Sequence, residues 1–153
     1  MIQNFTITLA TLSFTGCASI INDSTQPMKI ETNIATGDTV NGAECMVTND
    51  YGSITTKSGD TALVHRSSKD VDIVCKHPQN PQAVARVISR VNAGLAGNIV
   101  AGGVIGAIID HNKGTAYTYP TWVRLVFGQS LVFDRLSERD GQPTNGTLPV
   151  AIK

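Results

Sequence analysis

Charge is what this sequence has least of. Asp, Glu, Lys and Arg make up 16% of the chain, against about a quarter in an ordinary globular domain. The two signs cancel to a formal net charge of +0. A polyanion-binding surface therefore has no global field behind it, and no nucleic-acid partner is expected. Chemistry-bearing residues are equally sparse. The histidines are His65, His77 and His111, and no HExxH, GxSxG or phosphate-loop pattern surrounds them. The cysteines are Cys17, Cys45 and Cys75, with no CxxC pair or paired histidine beside them, which argues against a metal site. Asp110-His111 is an acid next to a histidine, but a catalytic pair needs a third group that the sequence does not place, so a surface or capping role is expected. The expectation is a protein that is not an enzyme, with no catalytic residue, no metal and no cofactor beyond a covalent lipid.

Gly, Ser, Thr and Asn fill the space that charge leaves, as in small exported β-rich domains with many turns. The first charged residue is Asp23. Residues 1–16 form an apolar stretch, too short to be a clear membrane span and too apolar for an ordinary N-terminal strand. A secretory signal ordinarily begins with Lys or Arg, which this stretch lacks. It closes on Phe14-Thr15-Gly16-Cys17, similar to a lipobox, in which small residues admit the cleaved bond to a narrow protease site and the Cys is acylated. Phe14 stands where Leu is usual. The expected reading is a lipoprotein signal over 1–16, a lipidated Cys17 and a linker over 17–27. A buried strand with an incidental Cys and an uncleaved anchor are the alternatives. Ala18, rather than Asp, after the Cys implies release to the outer membrane, facing the periplasm.

With Cys17 acylated, Cys45 and Cys75 remain as an even pair in an oxidising compartment. Both lie in strand-like runs. By the two-residue period Cys45 shares a face with Ala43 and Val47, and Cys75 with Val71 and Ile73. Apolar faces that meet in a core would bring the sulfurs together, and two separate buried thiols are the alternative. A bond closing a loop of this length stabilises by about 3–4 kcal/mol in the chain-entropy model.

Strands are expected at Met28–Asn33, Ala43–Thr48, Thr61–Arg66, Val71–Lys76 and Ala83–Val91, forming a β-domain over 28–91. Turn chemistry at Asn41-Gly42, Asn49-Asp50-Tyr51-Gly52 and Ser58-Gly59-Asp60 separates them. The prolines of His77-Pro78-Gln79-Asn80-Pro81 break a strand there. The fold class expected is mainly β, a small antiparallel sandwich or open barrel, with a Gly-rich helical segment over 92–112 packed on it.

That segment is uncharged from Ala93 to Ile109. Gly94, Asn98, Gly102 and Gly106 recur every four residues and would form one small-residue stripe on a helix, a face that another backbone can approach closely. Its glycines make it a poor helix in water, so it needs a partner: its own sheet, a second copy, another protein or lipid. Its likeness to GxGxxG is superficial, because no βαβ unit encloses it. Two more strand-like runs, Trp122–Phe127 and Leu131–Leu136, occupy 113–136 and pair naturally as a hairpin. Trp122 with Tyr117 and Tyr119 reads as core or rim packing, or as an aromatic contact site. Residues 137–153, with Gly141, Pro143, Gly146 and Pro149, read as a flexible tail.

Taken in order, Thr15-Gly16-Cys17-Ala18-Ser19-Ile20-Ile21-Asn22, Gly42-Ala43-Glu44-Cys45, Thr48-Asn49-Asp50-Tyr51-Gly52-Ser53, Val74-Cys75-Lys76, Gly97 to Gly106 and Ala116-Tyr117-Thr118-Tyr119-Pro120 resemble a group of small Gram-negative lipoproteins. These have a PEGA-like β-domain followed by a Gly-rich segment, and the resemblance runs from about Cys17 to Phe127. It implies an outer-membrane lipoprotein with a small β-domain and no settled activity. The function expected is a structural or scaffold part of a cell-envelope assembly, reached through the lipid anchor and through an envelope protein complex or self-association. A peptidoglycan- or glycan-binding module is the alternative, and an envelope hydrolase a second one.

Overall fold

The computed structural model describes residues 24–92 and 116–149. These form ten strands: β1 (Thr25–Asn33), β2 (Glu44–Asn49), β3 (Gly52–Lys57), β4 (Thr61–His65), β5 (Val71–His77), β6 (Asn80–Val87), β7 (Arg90–Val91), β8 (Tyr117–Thr118), β9 (Trp122–Val126) and β10 (Ser130–Phe133). Helix among the described residues is limited to one 3-10 turn, Arg135–Ser137, which Asp134 caps by accepting from the Leu136 N–H.

A three-stranded sheet, β4-β1-β9, packs on a five-stranded one, β10-β6-β5-β2-β3, and β7 with β8 forms a short ribbon at one end. Alternation drives the packing. Met28, Ile30, Ala62, Val64, Val123 and Leu125 from the smaller sheet meet Cys45, Val47, Ile73, Cys75, Val87 and Phe133 from the larger in one buried cluster. Each large apolar side chain buried this way contributes about 1.5–3 kcal/mol.

The Cys45–Cys75 disulfide is formed. The two residues are register partners on the neighbouring strands β2 and β5, so the bond staples one sheet from its inner face. It closes a loop with a sequence separation of 30 residues.

Four expectations are corrected. The sandwich is mixed rather than antiparallel, because β9 runs parallel to β1 and β10 parallel to β6, and the sheets do not join into a closed barrel. Strand direction is set by where the chain returns: Tyr119 lies beside Gln26 near the start of β1, and β9 then follows β1 from Lys29 onward in the same direction. Second, β9 and β10 do not form a hairpin. The chain turns at Gly128 (φ 80) and crosses from one sheet to the other, where Gly128 N–H donates to the Gln82 carbonyl and Val84 N–H to that of Gln129. Crossing lets Leu125, Leu131 and Phe133 all face the one core. Third, Thr25–Pro27 belong to β1 and not to a linker. Fourth, residues 137–149 are not a loose tail. Thr144 bridges Val123 on β9, and Thr147 bridges Val132 on β10. Thr144 is buried, so this stretch closes one side of the sandwich. Pro-Gly-Asn content suits such a cover, which needs irregular backbone rather than regular pairing. The Gly-rich segment expected over 92–112 lies, from residue 93 on, outside the described residues.

Gly146 shows how tightly the cover fits. A Cβ there would stand 2.8 Å from Leu131 Cβ and 2.8 Å from Phe133 Cζ. Gly146→Ala is expected to lower stability by about 1–3 kcal/mol through overpacking. Urea denaturation of the variant checks this; an unchanged midpoint would show that the cover is not seated on the core.

Candidate interaction site

The two sides of the sandwich differ. Residues 142–147 cover the β9–β10 side. On the other side β3 and β4, consecutive in sequence, lie on different sheets and do not pair. Their connection, Ser58-Gly59-Asp60, sends the chain across the sandwich, with Gly59 N–H donating to the Ile30 carbonyl and Ile30 N–H to that of Asp60. A seam is left between them, a groove of about 300 Å³ lined by Thr25, Val47, Ile54, Leu63, Val64 and His65 among others.

Backbone phase fixes what faces the seam. Ser58 N–H bonds Ala43, and Arg66 N–H bonds Ser24. By the alternation of antiparallel ladders, Ser53 and Thr55 on β3 and Leu63 on β4 turn their peptide groups away from their own sheets. The groove thus combines apolar side chains with a row of sheet-edge peptides.

One end of the seam is gated. Tyr51, in the β2–β3 turn, stacks on His65 with ring centroids 3.7 Å apart and planes at 17°. Asn49 holds both strands there: its Nδ2 donates to the His65 carbonyl at 2.8 Å and its Oδ1 accepts from Tyr51 N–H at 2.9 Å. His65 Nδ1 meets the Arg66 carbonyl at 2.9 Å. His65 is therefore a packed strand-end residue. His77 lies at the opposite end, its Nδ1 3.0 Å from Asn80 Nδ2. Among the described residues no group of three or more His, Cys, Asp or Glu is placed to hold a metal ion. His111 and Asp110 lie outside the described residues.

The gated end also holds the roots of the Gly-rich segment. β7 pairs with β8, Val91 opposite Tyr117, and Asn92 N–H donates to the Ala116 carbonyl at 2.7 Å. The chain therefore leaves and returns at one point. Gln26, 2% exposed, ties this root to β1: its Nε2 donates to the Tyr119 carbonyl and its Oε1 accepts from Tyr119 N–H, both at 3.0 Å. Thr118 Oγ1 also donates to Gln26 Oε1, at 3.1 Å. The Tyr119 hydroxyl donates to the Lys69 carbonyl at 2.7 Å, and burial pushes its pKa up. Arg90 forks onto Asp134, with Nε 3.1 Å from Oδ1, and Arg135 Nη1 donates to Thr118 Oγ1 at 2.7 Å.

The aromatic residues take packing roles. Tyr119 is fully buried, and the Trp122 ring lies under the Lys29 ammonium, 4.2 Å from its centroid. Beside it Glu31 pairs with Lys29 at 2.8 Å and with Arg124 at 2.9 Å. Burial alone would push the Glu31 pKa up, but those two cations outweigh it and hold it down. Of the residues singled out from the sequence, Cys45 and Cys75 are brought together in the core. Cys17, Gly94, Asn98, Gly102 and Gly106 lie outside the described residues. Sequence reading missed Gln26, Asn49 and Leu63, since nothing in a Ser-Thr-Gln or Thr-Asn-Asp run announces a buried clamp. No family model, curated protein or solved structure matches the chain.

The Arg90–Asp134 pair yields a pH signature. Hydrogen bonding from Arg90 holds the Asp134 carboxyl below its ordinary value of 3.8. A depressed folded pKa stabilises above the unfolded value and is lost as pH falls through the folded one. Asp134→Asn keeps the cap oxygen and removes the charge. The variant is expected to unfold at lower urea than the wild type at pH 7, with the gap vanishing below the ordinary Asp range. Urea midpoints across pH check this; a pH-independent gap would place the loss elsewhere.

Proposed function

We propose that this chain is a lipid-anchored cell-envelope protein. Signal residues 1–16 are removed, Cys17 is acylated, and the domain is held at the outer membrane facing the periplasm. Its role is structural, as a non-enzymatic component of an envelope assembly. The observation that carries this reading is the Cys45–Cys75 bond. Disulfides of this buried, structural kind belong to oxidising compartments. Pairing them also leaves Cys17 as the odd cysteine, in a context similar to a lipobox. A single acyl chain anchors only marginally, so more than one is expected on Cys17.

The Gly-rich segment supplies the assembly contact in this reading. The strands that flank it, β7 and β8, pair with each other at one end of the sandwich. Gly94, Asn98, Gly102 and Gly106 then present a small-residue face to a partner backbone, either of an envelope protein or of a second copy. The likeness to PEGA-like lipoproteins supports the same placement.

Two experiments bear on this. Cys17→Ser is expected to leave an unprocessed, mislocalised precursor in membrane fractionation. Continued recovery with the outer membrane would exclude the anchor. Gly102→Leu with Gly106→Leu is expected to abolish the crosslinked adducts that the wild-type protein forms in cells, while leaving its fractionation unchanged. Adducts of undiminished yield would remove the packing role from the stripe.

A further inference from the structure

We propose that the end of the sandwich at which β1 begins lies against the bilayer surface, where Tyr51, Leu63, Val91 and Leu136 contact lipid. This rests on the acylation of Cys17. Seven residues separate Cys17 from Thr25, so the eight Cα steps between them reach at most about 28 Å when fully extended. β1 itself, of 9 residues, is about 27 Å long. With the opposite end against the membrane, the tether would have to run back along the whole domain, leaving nothing to reach the leaflet. The tether therefore keeps the Thr25 end close to the lipid.

Of seven large apolar side chains that are exposed among the described residues, four gather at that same end, and Met46, Ile54 and Leu148 lie along the sides. Tyr51 is 53% exposed, Leu63 65%, Val91 62% and Leu136 81%. Tyr51 and Leu63 rim the groove that Thr25 also lines. Val91 stands at the root of the Gly-rich segment, and Leu136 in the 3-10 turn after β10. The turns at the other end, Ala35–Thr39 and His77–Gln79, carry no large exposed apolar residue. A Tyr with aliphatic neighbours suits the headgroup boundary, which takes an apolar body and a wet tip. Arg90 is matched there by Asp134 and Arg135 by Glu138, while Lys69 is an exposed cation at the same end. The proposed contact is the apolar one made by Tyr51, Leu63, Val91 and Leu136.

The test uses the full-length acylated protein reconstituted in phosphatidylcholine vesicles carrying acyl chains brominated near the headgroup. Trp122→Phe supplies the background, since the Trp122 indole N–H has no hydrogen-bond partner to lose. Single tryptophans are then placed by Tyr51→Trp, Leu136→Trp and, at the far end, Gln79→Trp. The first two are expected to lose about half of their emission or more to bromine quenching, and the third none. No quenching at 51 and 136, or equal quenching at all three sites, would overturn the proposal. Intact mass separates the two levels of failure. Acylated protein without quenching defeats this inference alone, whereas protein without the acyl mass defeats the anchor on which it stands.

Discussion

The Gln26 side-chain amide is the contact on which the architecture depends. It is buried, and it pairs with Tyr119 as one strand residue pairs with another, giving and accepting across both backbone groups. A buried amide left half-satisfied would cost on the order of 1–3 kcal/mol, so the position of Tyr119 is tightly set once Gln26 is inside. Tyr119 passes the constraint on through its hydroxyl to the Ser67–Lys69 loop. Three stretches far apart in sequence are thereby locked at one end of the sandwich. Since Tyr119 is held beside Gln26 at that end, β9 joins β1 from Lys29 onward and runs parallel to it.

The same logic leaves the two sides of the sandwich unequal. Unpaired strand edges invite association, and folds blunt them with covers, charges or irregular backbone. Here the β9–β10 side is closed by the chain's own residues 142–147, with Gly146 sitting on Leu131 and Phe133. The β3–β4 side is spanned at its end by Asn49 and the Tyr51–His65 stack, and otherwise stays open. Short strands moderate this open edge, β4 being 5 residues long.

How much of this was legible in the sequence varied with the physics involved. Where one face is buried, period-two patterning placed the strands around Cys45–Val47 and Ile73–Cys75 and put both sulfurs inward. Turn signals at Asn41-Gly42 and Ser58-Gly59-Asp60 were also readable, since Gly42 (φ 81) and Gly59 (φ 99) adopt conformations that other residues resist. β3 was missed because Gly-Ser-Ile-Thr-Thr-Lys is an edge strand exposed along most of its length and so has no alternation to display. The hairpin expected from Trp122–Leu136 failed for a different reason. Local pattern fixes which residues face inward, not which sheet a strand joins, and that choice was made by pairing with β1 and β6. Residues 142–147 looked loose because a cover is built from the composition of a loop. Gln26 read as linker because a polar residue that functions by being buried gives no hydrophobic signal. Of the candidate site, the Tyr51 turn was visible and the seam was not, since it arises from two consecutive strands declining to pair.

Parallel pairing of β1 with β9 also imposes an order on folding. Ile30 meets Val123, so the first strand waits for a partner 93 positions later in the chain. By contrast, β2–β3 and β5–β6 are sequence-adjacent hairpins, closing with little loss of loop entropy. High-contact-order pairings form slowly. The larger sheet can therefore assemble, and Cys45 can find Cys75, while β1 still lacks one neighbour. A chain delivered N-terminus first would thus complete its sandwich only when nearly all of it has emerged, with its earliest strand among the last to be fully paired.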